Sequence, residues 1–199
     1  MKLNIYTISH PITQLLFNQI QNLSIENNVK YHAFNKMGQF LIYETTRNWM
    51  KVYNLKIKTI DRIREYTIHN PNESYVIIAN INNDLDLIQE AKYILPNCKI
   101  SLIDFNKNID SNYVLQDSNL SYIPKNINQL TKIIIASKNI NINNLIKVMD
   151  YLINIKNIKI NQVRIMCIIC ESDQLITISQ EYPQLNIYTT QIRNSQQIG

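Results

Sequence analysis

Glycine is nearly absent: Gly38 and the terminal Gly199 are the two in 199 residues. Loops that wrap a phosphate depend on glycine, which reaches positive φ without steric cost and lets backbone N–H groups close on an anion. A chain with one internal glycine is a poor candidate for two such loops. Charge is thin as well, at 18% of the chain against about a quarter in ordinary domains. The net charge is +5, yet Lys51, Lys56, Lys58, Arg62, Arg64, Lys156 and Lys159 are scattered and form no dense run. That distribution argues against a nucleic-acid surface and for a mixed solvated surface, or a patch facing an acidic protein. The most basic local stretch is 51–66.

Cysteine is scarce too. Cys98, Cys167 and Cys170 are the three, which points to a reducing compartment. Cys167 and Cys170 form a CxxC inside "VRIMCIICES", which reads as a strand. Residues three apart on a strand point to opposite faces, so this pair is expected to chelate nothing and to sit in a core. No second CxxC and no histidine stand beside it, so no metal or cofactor is expected. His10, His32 and His69 lie too far apart in sequence to suggest a site. No apolar run approaches the ~18 residues of a membrane span, and no basic-then-apolar leader opens the chain.

What is present is a full core: 45% of residues are apolar, enough for one domain over 1–199. Ile and Asn together supply about a third of the chain, far above ordinary usage. Both are written with AT-rich codons, which points to a biased genome and an erosion of glycine wherever chemistry does not protect it.

Along the chain, "ITQLLFNQIQNL" and "YHAFNKMGQFLIYETTRNWMKVY" read as helices. In the second, Phe34, Met37, Leu41, Tyr43, Thr45 and Trp49 approximate one face, and Gly38 allows close packing. Residues 1–53 are therefore N-terminal helices. Ile57, Ile60, Ile63 and Ile68 alternate with polar residues over 54–70, which predicts a β-arm. From residue 72 to 192 the pattern becomes strand, helix, strand. "SYVIIAN", "CKISLIDF", "KIIIAS", "QVRIMCIIC" and "LNIYTT" are continuous apolar strands, with helices at "DLDLIQEAKYIL", 143–153 and 172–181. Asn82 or Asn83 is a candidate N-cap for the first of these, and Asp84 and Asp86 read as helix-start acids. Residues 106–129 read as a loop or small hairpin. Buried strands alternating with helices give an α/β fold, an open, mostly parallel sheet of about five strands with helices on both faces. Ligands in such sheets sit at the C-terminal strand ends, here Ala79–Asn83, Asp104–Asn108, Ala136–Asn143 and Glu171–Asp173.

"SHPITQLL", "LIYETTRNWM", "TKIIIASKNININNLIKVMDYL" and "VRIMCIICESDQLITISQEYPQLNIYTTQI", in that order, resemble the uracil phosphoribosyltransferase family in its cyanobacterial and plastid form, across almost the whole chain. The resemblance implies a type I phosphoribosyltransferase fold. It also implies transfer of a phosphoribosyl group from phosphoribosyl pyrophosphate to uracil, with magnesium, in a dimer or higher oligomer that uses the β-arm. The positions that should carry this chemistry are altered. Ala79–Asn83 has neither Arg nor Gly where the family holds pyrophosphate. In the ribose-phosphate loop Ser137 stands near the family's Asp and Asn143 and Asn144 near its Gly-Gly, with Lys138 and Asn141 between. Ile140 and Ile142 are β-branched and resist the positive φ of such a turn, though Asn tolerates it. The Gly-rich uracil segment is expected to be missing after "YTTQIRNSQQIG", and Arg193 replaces its Asp.

This pattern predicts a non-catalytic relative kept as a structural or interaction subunit. Its expected place is a plastid stroma, within a larger and even photosynthetic assembly, with a homodimer as a further option. Trp49, Tyr53, Arg62, Arg64 and Tyr66 are the candidate contact residues, because aromatics and arginine anchor interfaces. Two alternatives stand beside it. One is a working phosphoribosyltransferase or nucleotide binder, with Ser137, Lys138 and Asn141 on the phosphate. The other is a nucleic-acid-binding module, whose affinity would fall steeply with salt.

Overall fold

The computed structural model describes residues 3–104, 123–124 and 127–194. Its sheet has six strands in the order β1-β8-β7-β6-β4-β5. They are β1 Asn4–Thr7, β4 Ser74–Asn80, β5 Cys98–Ile103, β6 Thr131–Asn139, β7 Val163–Glu171 and β8 Asn186–Arg193, and every pairing is parallel. Successive side chains on these strands serve two cores. Val76, Ile78, Ile133, Ile135 and Ile165 face one side, where α5 (Ile142–Asp150) and α6 (Ser172–Glu181) contribute Leu145, Val148, Leu175 and Ile178. Tyr75, Ile77, Ile134 and Met166 face the other, against Met37, Leu41 and Ile42 of α2 (Asn27–Thr46) and Leu87 and Ile88 of α3 (Leu85–Ile88). Two covered faces explain the unbroken apolar strands.

The expected architecture holds, with one strand more. β1 is short and wholly exposed, so it carries no apolar signature; partners hold it. Tyr6 stacks on Tyr188 at 4.7 Å between centroids, and the Asn4 amide donates to Asn186 at 3.2 Å. α1 (Pro11–Gln21) starts with Pro11 at its first position, and His10 Nδ1 accepts the Ile12 N–H at 3.1 Å, which makes His10 a cap. α2 stops at Thr46, earlier than the apolar pattern suggests. Its buried face is Ala33, Met37, Gly38, Leu41, Ile42, Thr45 and Thr46, a four-residue repeat that leaves Tyr43 exposed.

The segment "DLDLIQEAKYIL" forms two four-residue turns, α3 and α4 (Ala91–Ile94), not one helix. The break coincides with the approach of α2, where the Leu87 carbonyl points at Gly38. Neither Asn82 nor Asn83 is the cap: Asp84 holds that position, and its side chain does not bond the helix.

Cys167 and Cys170 also depart from expectation, because both are buried in the same core cluster. The ladder lapses at Ile168, which has no bridge partner in either neighbouring strand although the register is the same on both sides of it, and its carbonyl accepts the Thr189 and Thr190 hydroxyls. Strict alternation fails there: Ile168 and Ile169 both pack against the α2 core, while Cys167 and Cys170 lie in the other. Burial pushes the Cys167 thiol well above its ordinary range, as expected of an inert core thiol.

The arm is an antiparallel hairpin of β2 (Val52–Lys58) and β3 (Ile63–His69). The loop expected over 106–129 lies largely outside the described residues. Among the described residues no helix is long and apolar enough to cross a membrane.

Candidate functional site

β4 pairs with β5 on one side and with β6 on the other, so strand order reverses there. The C-terminal mouth beside that reversal is where doubly wound sheets bind ligands. A cleft of about 440 Å³ opens at that place, within the range of small-molecule sites. The end of β4 and the turn after it supply Asn80, Asn82, Asn83 and Asp84 to one wall. The end of β6 and the start of α5 supply Ser137, Lys138, Asn139, Asn141 and Asn144 to the other, and Ile78, Ala79, Ile135 and Ala136 lie among the apolar lining. Two of the four expected strand ends thus meet; Asp104 and Glu171–Asp173 do not line the cleft.

Chemistry here is set by who already holds whom. Lys138 Nζ makes an ion pair with Asp86 at 2.7 Å and lies 3.9 Å from the centroid of the Phe34 ring. The same residue's backbone N–H donates to Asp84 Oδ1 at 2.8 Å, and the Asn80 N–H donates to Asp84 Oδ2 at 3.4 Å. Burial pushes the Asp84 carboxyl up, with these two N–H bonds and the Lys138 charge opposing it. Ser137 Oγ donates to the Asn139 carbonyl at 2.5 Å. Asn141 caps α5, its Oδ1 accepting the Asn144 N–H at 3.2 Å. Asn143 is exposed beyond that cap.

The connection from β6 to α5 is only Ile140 and Asn141. Ile140 is buried in the core beneath it, and no residue of the connection takes positive φ. A phosphate cradle needs free N–H groups, a helix N-terminus and an uncommitted cation. Here the cation faces a carboxylate, a side chain of the same loop occupies a helix N–H, and an isoleucine packs under the turn. Asp84 and Asp86 stand at the start of α3 as their sequence reading expects, and the fold also makes them the partners of Lys138. No local signal marks a contact across 54 residues.

The proposed contact residues separate. Tyr53, Leu55 and Ile57 pair with Ile68, Tyr66 and Arg64 in register, so the six share one face of the arm. All are exposed. The other face is mostly polar, with Lys56 and Glu65 paired at 2.7 Å and Val52 and Ile63 at its ends. Arg62 is at the tip, where the Thr59 N–H donates to its carbonyl at 2.9 Å. Trp49 is elsewhere: half-buried beyond α2, with the Arg164 guanidinium 4.2 Å and Lys132 Nζ 5.9 Å from its ring centroid.

The family model described as uracil phosphoribosyltransferase matches residues 7–197. The chain belongs to the uracil phosphoribosyltransferase family. Among its relatives, a uracil phosphoribosyltransferase homolog from Porphyra purpurea is 26% identical over 98% of this chain and 90% of its own length. The uracil phosphoribosyltransferase of Synechocystis sp. is 23% identical over 96% and 88%. These matches make this a family member of the plastid and cyanobacterial type. Protein AQ2163 from Aquifex aeolicus shares the fold, with a TM-score of 0.71 at 14% identity over 96% of this chain and 88% of the other.

The family resemblance implies magnesium, a hard cation that takes oxygen ligands. The cleft does not fit it. Among the described lining residues Asp84 is the one carboxylate, both of its oxygens accept backbone N–H groups, and Asp86 is paired with Lys138.

Proposed function

We propose that this member of the uracil phosphoribosyltransferase family is non-catalytic and serves as a structural or interaction subunit. The observation that carries the reading is the closed Lys138–Asp86 pair over a loop whose helix N–H is capped by Asn141. The phosphoribosyl donor is highly anionic, and its transfer relies on fixed donors and cations aimed at the developing charge. Removing one such donor typically costs about 10²–10³ in rate, and the described lining of this cleft holds no uncommitted cation. Calorimetry with phosphoribosyl pyrophosphate and magnesium on the whole chain is the test. We expect no heat of binding, and no UMP when uracil is added. Saturable binding, or UMP above background, overturns the reading.

The interaction half rests on the arm. Its face of Tyr53, Leu55, Ile57, Tyr66 and Ile68 is a contiguous exposed apolar patch beside Arg62 and Arg64, and such patches mark contact surfaces. The partner in this reading is a protein within a larger assembly, such as a photosynthetic one, or a second copy of the chain. A plastid stroma is the proposed place, supported by the AT-biased composition and the likeness to a cyanobacterial enzyme. The arm makes no part of either core, so Leu55→Lys with Tyr66→Asp, which sets opposite charges on one cross-strand pair, should shift stability by no more than about 0.5 kcal/mol. The same double variant should lower the mass at which the native protein migrates in gentle size-exclusion chromatography. An unchanged mass with unchanged stability would remove the arm from the proposal.

A further inference from the structure

We infer that the cleft between β4 and β6 has exchanged anion recognition for the binding of a small uncharged carboxamide carried on a flat aromatic ring. The inference rests on the reading above that the cleft no longer takes the charged donor.

Three observations point to that class. The first is charge. Asp84 is buried in the wall, and the charge of Lys138, the only cation among the described lining residues, is directed at Asp86, 2.7 Å away. An anion would meet a carboxylate and no free counter-charge, while an ammonium would have to share Asp84 oxygens that each already accept a backbone N–H. Neither charge sign finds an uncommitted partner, which favours neutral ligands.

The second is the set of hydrogen-bonding groups. Asparagines alone supply six of the lining residues. The side-chain amides of Asn83, on the β4 wall, and of Asn139 and Asn144, on the facing wall, make no hydrogen bond among the described residues. A primary amide offers an acceptor and two donors in one plane. Its natural complement is another amide, which returns donor for acceptor and acceptor for donor. A carboxylate of the same shape offers acceptors only and leaves half the pairing unmade.

The third is the apolar lining. Ala79, Ala136, Ile78 and Ile135 lie at the strand ends between the two walls. They give a ring something to lie against, which a polyol or a free phosphate would not use.

Nicotinamide and nicotinate make a matched pair, one ring carrying either an amide or its anionic isostere. Each is titrated into the full-length chain, followed by calorimetry and by the side-chain NH₂ resonances of asparagine. Nicotinamide should bind saturably with a Kd of about a millimolar or below, and nicotinate at least about tenfold more weakly. The Asn83→Ala/Asn144→Ala variant should lose nicotinamide binding at an unchanged melting temperature. Should it melt lower, Asn139→Ala, at an exposed position, is read in its place. Absence of saturation for both compounds to about 50 mM overturns this inference and leaves the non-catalytic reading intact. So does nicotinamide binding that neither variant weakens. Tighter binding of nicotinate, or saturable binding of inorganic phosphate, overturns both the inference and the claim that the cleft rejects anions.

Discussion

Gly38→Ala is expected to destabilise the protein by about 3 kcal/mol or more, at the upper end of overpacking effects. In an exposed helix the same change would add stability by about 1 kcal/mol, because glycine costs more backbone entropy than alanine. Position 38 reverses that sign. A Cβ built there would lie 1.7 Å from the Leu87 carbonyl oxygen and 2.8 Å from its carbon. Those are backbone atoms, and no rotamer change moves them away. To admit the methyl, α2 must lift from the short turns after β4, and Met37, Leu41 and Ile42, all fully buried, would lose their seat. Urea unfolding followed by far-ultraviolet circular dichroism measures the change. A midpoint at or above that of the parent would mean that α2 and α3 do not approach as described. The cleft lies just beyond α3, so the variant should also disturb the Asp86–Lys138 pair.

The second large effect is expected at the opposite end of the sheet. Lys132 Nζ and Glu73 Oε2 are 2.7 Å apart with side chains 13% and 4% exposed, and Lys132 also donates to the Trp49 carbonyl. Tyr75 donates its hydroxyl to Glu73 at 3.4 Å, and burial with the nearby Glu73 charge pushes that phenol up. Lys132→Met would leave the Glu73 carboxylate buried without its cation, a loss of about 3–5 kcal/mol. Adding Glu73→Gln removes the stranded charge but keeps an acceptor for Tyr75, and should recover most of that loss. Thermal melts of the two variants decide between them: equal destabilisation would show that the pair contributes packing and not charge. Trp49, the single tryptophan, lies beside Lys132, and its emission should shift in both.

Much of the fold is written locally. β4, β6 and β7 are apolar without interruption because helices cover both faces, and α6 lies where its periodicity puts it. The hairpin is legible from Ile57, Ile63 and Ile68 set among charges. Other features are written only in contacts between distant residues. β1 has four exposed residues and becomes a strand because β8 offers it an edge. Alternation in β7 fails at Ile168, where two threonine hydroxyls bond one carbonyl, so the CxxC reads as split when it is joined. At the cleft, the loss of glycine and the β-branched turn are legible in the residues. The fate of Lys138 is not, because the carboxylate that holds it lies 52 residues away.

The pairing of β1 with β8 carries a consequence for biosynthesis. Of the strands in this sheet β1 is made first and β8 last, so their pairing is a closure spanning 182 residues. Such distant closures are slow to form. β1 therefore stays unpaired while every other strand of the sheet is made, and the edge of β8 is the last to be covered.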